Sequence, residues 1–441
     1  MNAALLLAAA LGAAPVRSAQ LSGAPLELTL DQAVALGVKQ NLDVALAEER
    51  LAYFEAQRRQ ALGAAMPAVN LTGLYNRNIQ KPTYFLAGQA ITAGMDNSMR
   101  NVASLDQYLF TGGNVSQGLR AAQLGVKAGQ AQRESARKDV VLAAKRLFYA
   151  VCLASETAAI QRDMLSLAED HLKTIEERYR QGLDSDLVAL RQKVEVANAK
   201  PALSAARNGE ELALTLLKDS LGLDVDQPVR LVGSLEGPPS NLLPYDDLQA
   251  AALARNPDYQ AARSQFEQAE AILAVQKGFR WPWLTAHAEY QWYSESDADW
   301  PGPKERATSS LVGLRLNYPL FTGGQTSAKI EQARAQSEQA RTVMDKIARA
   351  IKVEVKREWL NVGEAWERAQ SQESALSQAR RALEATEIRY RAGQASLLEQ
   401  NDATLALQQT RLISVNALHD YRVALAALER AAGAPVEETS R

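Results

Sequence analysis

Leu109-Phe110-Thr111-Gly112-Gly113 returns as Leu320-Phe321-Thr322-Gly323-Gly324. Further on, Arg178-Tyr179-Arg180-Gln181-Gly182 returns as Arg389-Tyr390-Arg391-Ala392-Gly393. The two offsets are equal, since 320 − 109 and 389 − 178 are both 211. A weaker pair lies upstream, where Asn41-Leu42-Asp43 answers Asn256-Pro257-Asp258 at an offset of 215. A repeat this long is no solenoid unit of roughly 20–50 residues. It reads as a tandem duplication, so each half is one structural unit and the function is one a doubled unit performs.

The first motif closes a stretch of alternating residues. Val69, Leu71, Gly73 and Tyr75 alternate with Asn70, Thr72 and Asn76, and a second alternating run ends at Phe110. The second half repeats this, with Leu284, Ala286, Ala288, Tyr290 and Trp292 in one run and Val312, Leu314, Leu316 and Tyr318 in the next. Period-2 alternation is the mark of a strand with two unlike faces. Four strands are expected, at about 67–76, 101–110, 282–293 and 308–320, with Gly112, Gly113, Gly323 and Gly324 as strand-to-helix turns. A tilted bilayer-spanning strand needs about 9–11 residues. Tyr75, Tyr108, Trp281, Trp283, Trp292, Tyr293 and Tyr318 lie near strand ends, where an interfacial girdle would sit. The pattern alone also fits a soluble pair of hairpins.

The rest reads as helix. Residues 29–65 form one predicted helix, stopped by Met66-Pro67. Residues 114–181 contain no proline and would span about 100 Å as a helix. Leu119, Val126, Val140, Leu147 and Ala154 keep a seven-residue grid, which Leu165, Leu172 and Tyr179 resume after a shift of four. Such a stutter predicts local unwinding. Gly182 and Gly393 end these helices, and a helix restarts almost at once, so long hairpins are expected at about 114–221 and 325–432. Pro201 interrupts the return of the first hairpin, where the second has Leu412.

The bounds of composition agree. Aromatics are only 6% of the chain, as in long helices packed through small residues. A net charge of −2 gives no surface for nucleic acid. Cys152 is the single cysteine, set among Ala150, Val151 and Leu153, and reads as a buried apolar residue. Residues 3–16 form an apolar run too short to span a bilayer and read as the core of a signal peptide at 1–19. The histidines, His171, His287 and His419, are scattered and match no metal-ligand spacing. No phosphate-binding loop or paired nucleophile is present, so neither an enzyme nor a cofactor is expected.

A helix of about 100 Å is unstable alone, and a four-stranded membrane sheet has open edges that lipid forbids. Several chains closing their strands into one barrel and their hairpins into one tube remove both defects. Two chains give eight strands, a barrel filled by side chains, whereas three or more leave room for a channel.

The duplicated strand–loop–strand–hairpin plan, Leu-Phe-Thr-Gly-Gly after each second strand and Tyr-x-x-Gly at each tip resemble the outer membrane efflux proteins of the TolC type. Arg389 to Ala403 is similar to that family's second tip motif. The resemblance implies a homotrimer with a twelve-stranded transmembrane β-barrel in outer membrane lipid and an α-helical periplasmic tunnel. It implies a first repeat at 20–222, a linker at 223–244, a second repeat at 245–433 and a tail at 434–441. It also implies a periplasmic adaptor (membrane fusion) protein and an inner-membrane transporter of the RND, ABC or MFS type, and the transporter chooses the cargo. Arg178, Tyr179, Gly182, Arg389, Tyr390 and Gly393 fall at the tips, as adaptor contacts. Glu399 and Asp402 fall where the family lines its closed aperture with acidic residues. At i and i+3 they share a helical face, though Ser396 and Glu399 also spell a capping box. The family's gating arginine falls at Ala395 and its inter-hairpin acid at Val188, so this chain must latch differently. Asp184 and Asp186 are candidates, or they cap the restarting helix. The alternative class is a soluble periplasmic coiled-coil scaffold, with the strands as a small cap.

Overall fold

The computed structural model describes residues 26–81, 83–182, 184–235, 242–297, 306–434 and 436. The expected signal peptide and most of the expected tail lie outside these residues. In chain order the elements are β1 (Leu26–Leu28), α1 (Leu30–Gln40), α2 (Leu42–Gly63), β2 (Ala68–Arg77), β3 (Thr83–Leu86), β4 (Gln89–Thr92), β5 (Asn97–Phe110), α3 (Asn114–Arg180) and α4 (Asp186–Ser220). Then come β6 (Val229–Leu231), α5 (Tyr245–Arg255), α6 (Pro257–Gly278), β7 (Trp283–Ser296), β8 (Arg306–Asn317), α7 (Gln325–Arg391) and α8 (Leu397–Ala432). Equivalent helices match in length: 11 residues in α1 and α5, 22 in α2 and α6, and 67 in α3 and α7.

The single helix expected over 29–65 is two. Asn41 takes an extended backbone and its side chain accepts the Asp43 N–H at 2.8 Å, which starts α2 afresh. Its amide also donates to the Ser220 carbonyl at the end of α4, at 3.0 Å. Asn256 does both at the matching place, capping α6 through Asp258 and donating to the Ala431 carbonyl of α8 at 3.1 Å. The weak Asn-x-Asp repeat is therefore a joint that ties the short helices to the root of each hairpin.

Each hairpin root has its own apolar core. Leu28, Ala33, Phe148, Val151, Cys152, Leu217 and Leu221 pack together in the first half. Burial pushes the Cys152 thiol up to about 11, so it is an inert part of this core. Leu248, Ile351, Val355, Val362, Tyr421, Leu425 and Leu428 form the second. α3 stays helical across the heptad shift, so the unwinding expected there does not break it. α4 likewise runs through Pro201, which leaves the Ala197 carbonyl without its helical donor.

The four long strands form one antiparallel sheet in the order β2-β5-β7-β8. β5 starts earlier than expected, because Asn97–Arg100 pair with Leu74–Arg77. β8 stops at Asn317, ahead of Pro319. The loop after β2 holds the small hairpin β3-β4, and β1 pairs in parallel with β6 inside the inter-repeat linker. Among the described residues no helix is long and apolar enough to cross a membrane.

Candidate functional site

The register sorts the sheet into two faces. One carries Asn70, Thr72 and Asn76 of β2, Ser98, Ser104 and Asp106 of β5, Thr285, His287, Glu289 and Gln291 of β7, and Ser309 and Arg315 of β8. The other carries Val69 and Leu71, Met99 and Leu105, Leu284, Ala286 and Ala288, and Val312, Leu314 and Leu316. A polar face opposite an apolar one is what a barrel needs to hold water inside and lipid outside. On the polar face His287 bridges two strands, its Nδ1 lying 2.7 Å from Asp106 and its Nε2 3.4 Å from Glu289. That contact makes it a strand tie rather than a lone surface histidine.

The expected turn glycines are where the chain reverses into helix. Gly112 and Gly113 have φ of +61° and +88°, and Gly323 and Gly324 have +60° and +81°, a region that favours glycine. A Cβ on Gly112 would come within 2.5 Å of the Gly278 carbonyl oxygen and 2.7 Å of the Trp281 Cβ. The turn before α3 is thus pressed against the end of α6. The equivalent positions, Gly323 and Gly63, face open space within the single chain.

At the opposite end, Gly182 and Gly393 take φ of +75° and +72° just past α3 and α7. Their N–H groups bond back to the Tyr179 and Tyr390 carbonyls at 2.9 and 3.0 Å. Arg178 and Arg180, and Arg389 and Arg391, occupy the last helical turns, where they oppose the negative dipole end. Tyr179 is exposed, and Arg389 donates to the Gln394 carbonyl at 3.2 Å.

Arg178 does more than face the dipole. Its Nε donates to Asp184 Oδ2 at 2.8 Å, across the tip of its own hairpin. The same guanidinium lies 5.8 Å from the centre of the half-buried Tyr390 ring, on the other hairpin. Asp184 is therefore not the cap of the restarting helix. Ser185 is the N-cap residue, without a side-chain cap bond, and Asp186 lies in the first turn.

Glu399 is a member of the capping box. Ser396 N–H donates to its carboxylate at 2.7 Å, and Ser396 Oγ accepts the Glu399 N–H at 3.2 Å. The Ser396 donors hold the Glu399 carboxyl below the usual carboxylate range. Asp402 is exposed one turn further on. Above the tip, α3 and α8 are joined by pairs the sequence reading missed. Gln400 Nε2 lies 3.1 Å from His171 Nε2, Gln408 donates to Gln161 at 3.3 Å, and Arg411 pairs with Asp163 at 3.0 Å. Burial lowers the His171 pKa from its ordinary value, so the ring is neutral at pH 7 and accepts from Gln400. These residues are some 230–250 positions apart in sequence, and no local spacing announces them.

Comparison with known proteins fits this geometry. The family model described as outer membrane efflux protein matches residues 36–223 and 248–434, one match in each half. The outer membrane efflux protein BepC of Brucella suis is 25% identical over 334 residues, covering 75% of this chain and 71% of that one. The outer membrane protein TolC of Vibrio cholerae is 23% identical, covering 90% of this chain and 88% of its own length. Among solved structures, the CmeC outer membrane channel of Campylobacter jejuni superposes with a TM-score of 0.80 at 16% identity, covering 93% of this chain and 87% of that one. A doubled chain with a two-faced sheet, paired long hairpins and a family match in each half is no soluble scaffold: this chain belongs to the outer membrane efflux protein family, and it lies in the outer membrane and extends into the periplasm.

Proposed function

We propose that three copies of the chain close into one conduit, a twelve-stranded barrel above a helical tunnel. Residues 20–222 and 245–433 are its two repeats. The observation that carries this reading is the glycine joint. Inside the chain, the turn at Gly112 packs against the end of α6 at Gly278. Gly323 and Gly63 are the other halves of the same joint, both open. They meet when β8 of one copy pairs with β2 of the next. With four antiparallel strands per copy, that seam is again antiparallel. Both open sheet edges are then satisfied, as lipid requires. Exposed Leu187, Leu190 and Val194 on α4, and Val353, Leu360 and Ile388 on α7, supply apolar stripes for the seam lower down. Native mass spectrometry of the detergent-extracted protein should give three chains. A single chain stable in plain buffer would end the proposal.

In this assembly the tips form the periplasmic aperture. Glu399 and Asp402 make two acidic rings, and the Arg178–Asp184–Tyr390 contact stands in for the missing family latch. The exposed arginines and Tyr179 meet a periplasmic adaptor, which couples the conduit to an inner-membrane transporter of the RND, ABC or MFS type. The protein conducts and does not catalyse. Arg178→Ala removes the bond to Asp184 within the first tip and the contact with Tyr390 between the tips, while leaving the helices intact. It is expected to raise conductance of the closed channel in planar bilayers severalfold. Unchanged conductance would reduce Arg178 to a helix-end charge.

A further inference from the structure

A cleft of about 560 Å³ opens between α6 and α7 at the periplasmic edge of the sheet. Lys277, Arg280, Trp281, Tyr318, Glu331 and Arg334 line it. Three cations thus face one carboxylate. Among the described residues no ion pair engages any of the three, and Arg280 reaches only the Ser327 hydroxyl, at 3.5 Å. The conduit reading gives this cluster no task.

The duplicated chain supplies an internal control. The groove between α2 and α3 is the same piece of architecture in the first repeat. Lys277, Arg280 and Trp281 correspond there to Leu62, Ala65 and Met66 at the offset of 215. Tyr318 and Arg334 correspond to Gln107 and Gln123 at the offset of 211. The fold therefore does not demand three cations and two aromatics at this joint. The second repeat alone carries them.

The setting defines the ligand. Val312, Leu314 and Leu316, on the apolar face of β8, are 85%, 69% and 68% exposed, and the row runs down to the exposed Tyr318 beside the cleft. A molecule held here has an apolar portion along the strand and an anionic portion at the helix level, just outside the hydrocarbon. Trp281, 61% exposed, stands at the boundary, where amphipathic rings settle. We propose that the cleft binds the phosphate of an anionic phospholipid from the periplasmic leaflet, one per copy. Lys277, Arg280 and Arg334 take the phosphate, and the acyl chains lie along Leu314 and Leu316. This rests on the membrane placement of the sheet and not on the number of copies.

The test uses the detergent-extracted channel and native mass spectrometry, with phosphatidylglycerol or phosphatidylcholine added. Phosphatidylglycerol should bind about tenfold more tightly or better, since several basic groups near a membrane surface together favour an anionic lipid. The triple variant Lys277→Gln/Arg280→Gln/Arg334→Gln should bring it down to the phosphatidylcholine level. Arg334→Gln alone, on an exposed helix face, should lose severalfold and keeps the test valid if the triple variant fails to assemble. Trp281→Ala should weaken both lipids alike. Phosphatidylglycerol retained equally by the variants, or no preference in the parent protein, overturns the proposal. So does full displacement by inorganic phosphate, which would mark a free-anion site. A protein that needs no detergent would overturn the membrane reading itself.

Discussion

Gly63→Val is expected to leave each chain folded and to abolish the closed ring. Gly63 is the last residue of α2, its φ lies outside the left-handed region, and no atom stands within 4 Å of a Cβ placed there. A valine is therefore tolerated within one copy. In the assembly its side chain meets the Gly323-Gly324 turn of the next copy. The contact inside the chain shows how close that is, since a Cβ on Gly278 would lie 2.8 Å from the Gly112 carbonyl oxygen. The Asn114 side chain that also crowds that position can turn aside, but the Gly112 carbonyl oxygen is backbone, so no rotamer change relieves that part of the clash. Circular dichroism should show unchanged helix content, while native mass should fall from three chains to one. An intact trimer would mean that the strands close by some other register.

Removing the acidic charge at the second tip is expected to abolish cation preference without touching assembly. The choice of substitution matters, because Glu399 also caps α8. Glutamine serves a capping box as well as glutamate does. Glu399→Gln with Asp402→Asn therefore removes both charges and keeps the fold of the tip. Single-channel recordings should show an ion selectivity near unity and loss of block by multivalent cations, as expected when charged rings are removed from a constriction. The parent channel should be pH-dependent in a definite direction. With its pKa depressed in the folded state, Glu399 keeps its charge as pH falls into the ordinary carboxylate range, and loses it only below that. Selectivity unchanged in the double variant would make Asp402 a solvated helix face.

The repeat made most of the architecture legible. Equal offsets fixed the element order in both halves, and alternation found all four long strands within a few residues. The misses have physical reasons. The break at Asn41 lies between two stretches of good helix formers, so local propensity runs straight through it, and the recurrence of Asn-x-Asp marks the repeat without marking the break. β5 begins among Asn97, Ser98 and Arg100, polar residues that pair across the sheet and carry no apolar alternation. Arg178 and Asp184 are six apart around a turn, a spacing no helix or strand rule links, and Tyr390 reaches them from the other hairpin. Tip glycines are readable because backbone geometry is local. Side-chain latches are not, because they depend on how two hairpins lie side by side.

The asparagine joints make each hairpin a lever. Asn41 and Asn256 fasten the upper ends of α4 and α8 at Ser220 and Ala431, and below these joints each returning helix packs along its hairpin partner, so α3 with α4 and α7 with α8 swing together. α4 has 35 residues, so it is an arm of about 50 Å at 1.5 Å rise per residue. A turn of about 10° at the fastened end carries the tip through about 9 Å with this arm. Almost none of that motion reaches the barrel, so the mouth in the periplasm can widen while the wall in the membrane keeps its bore.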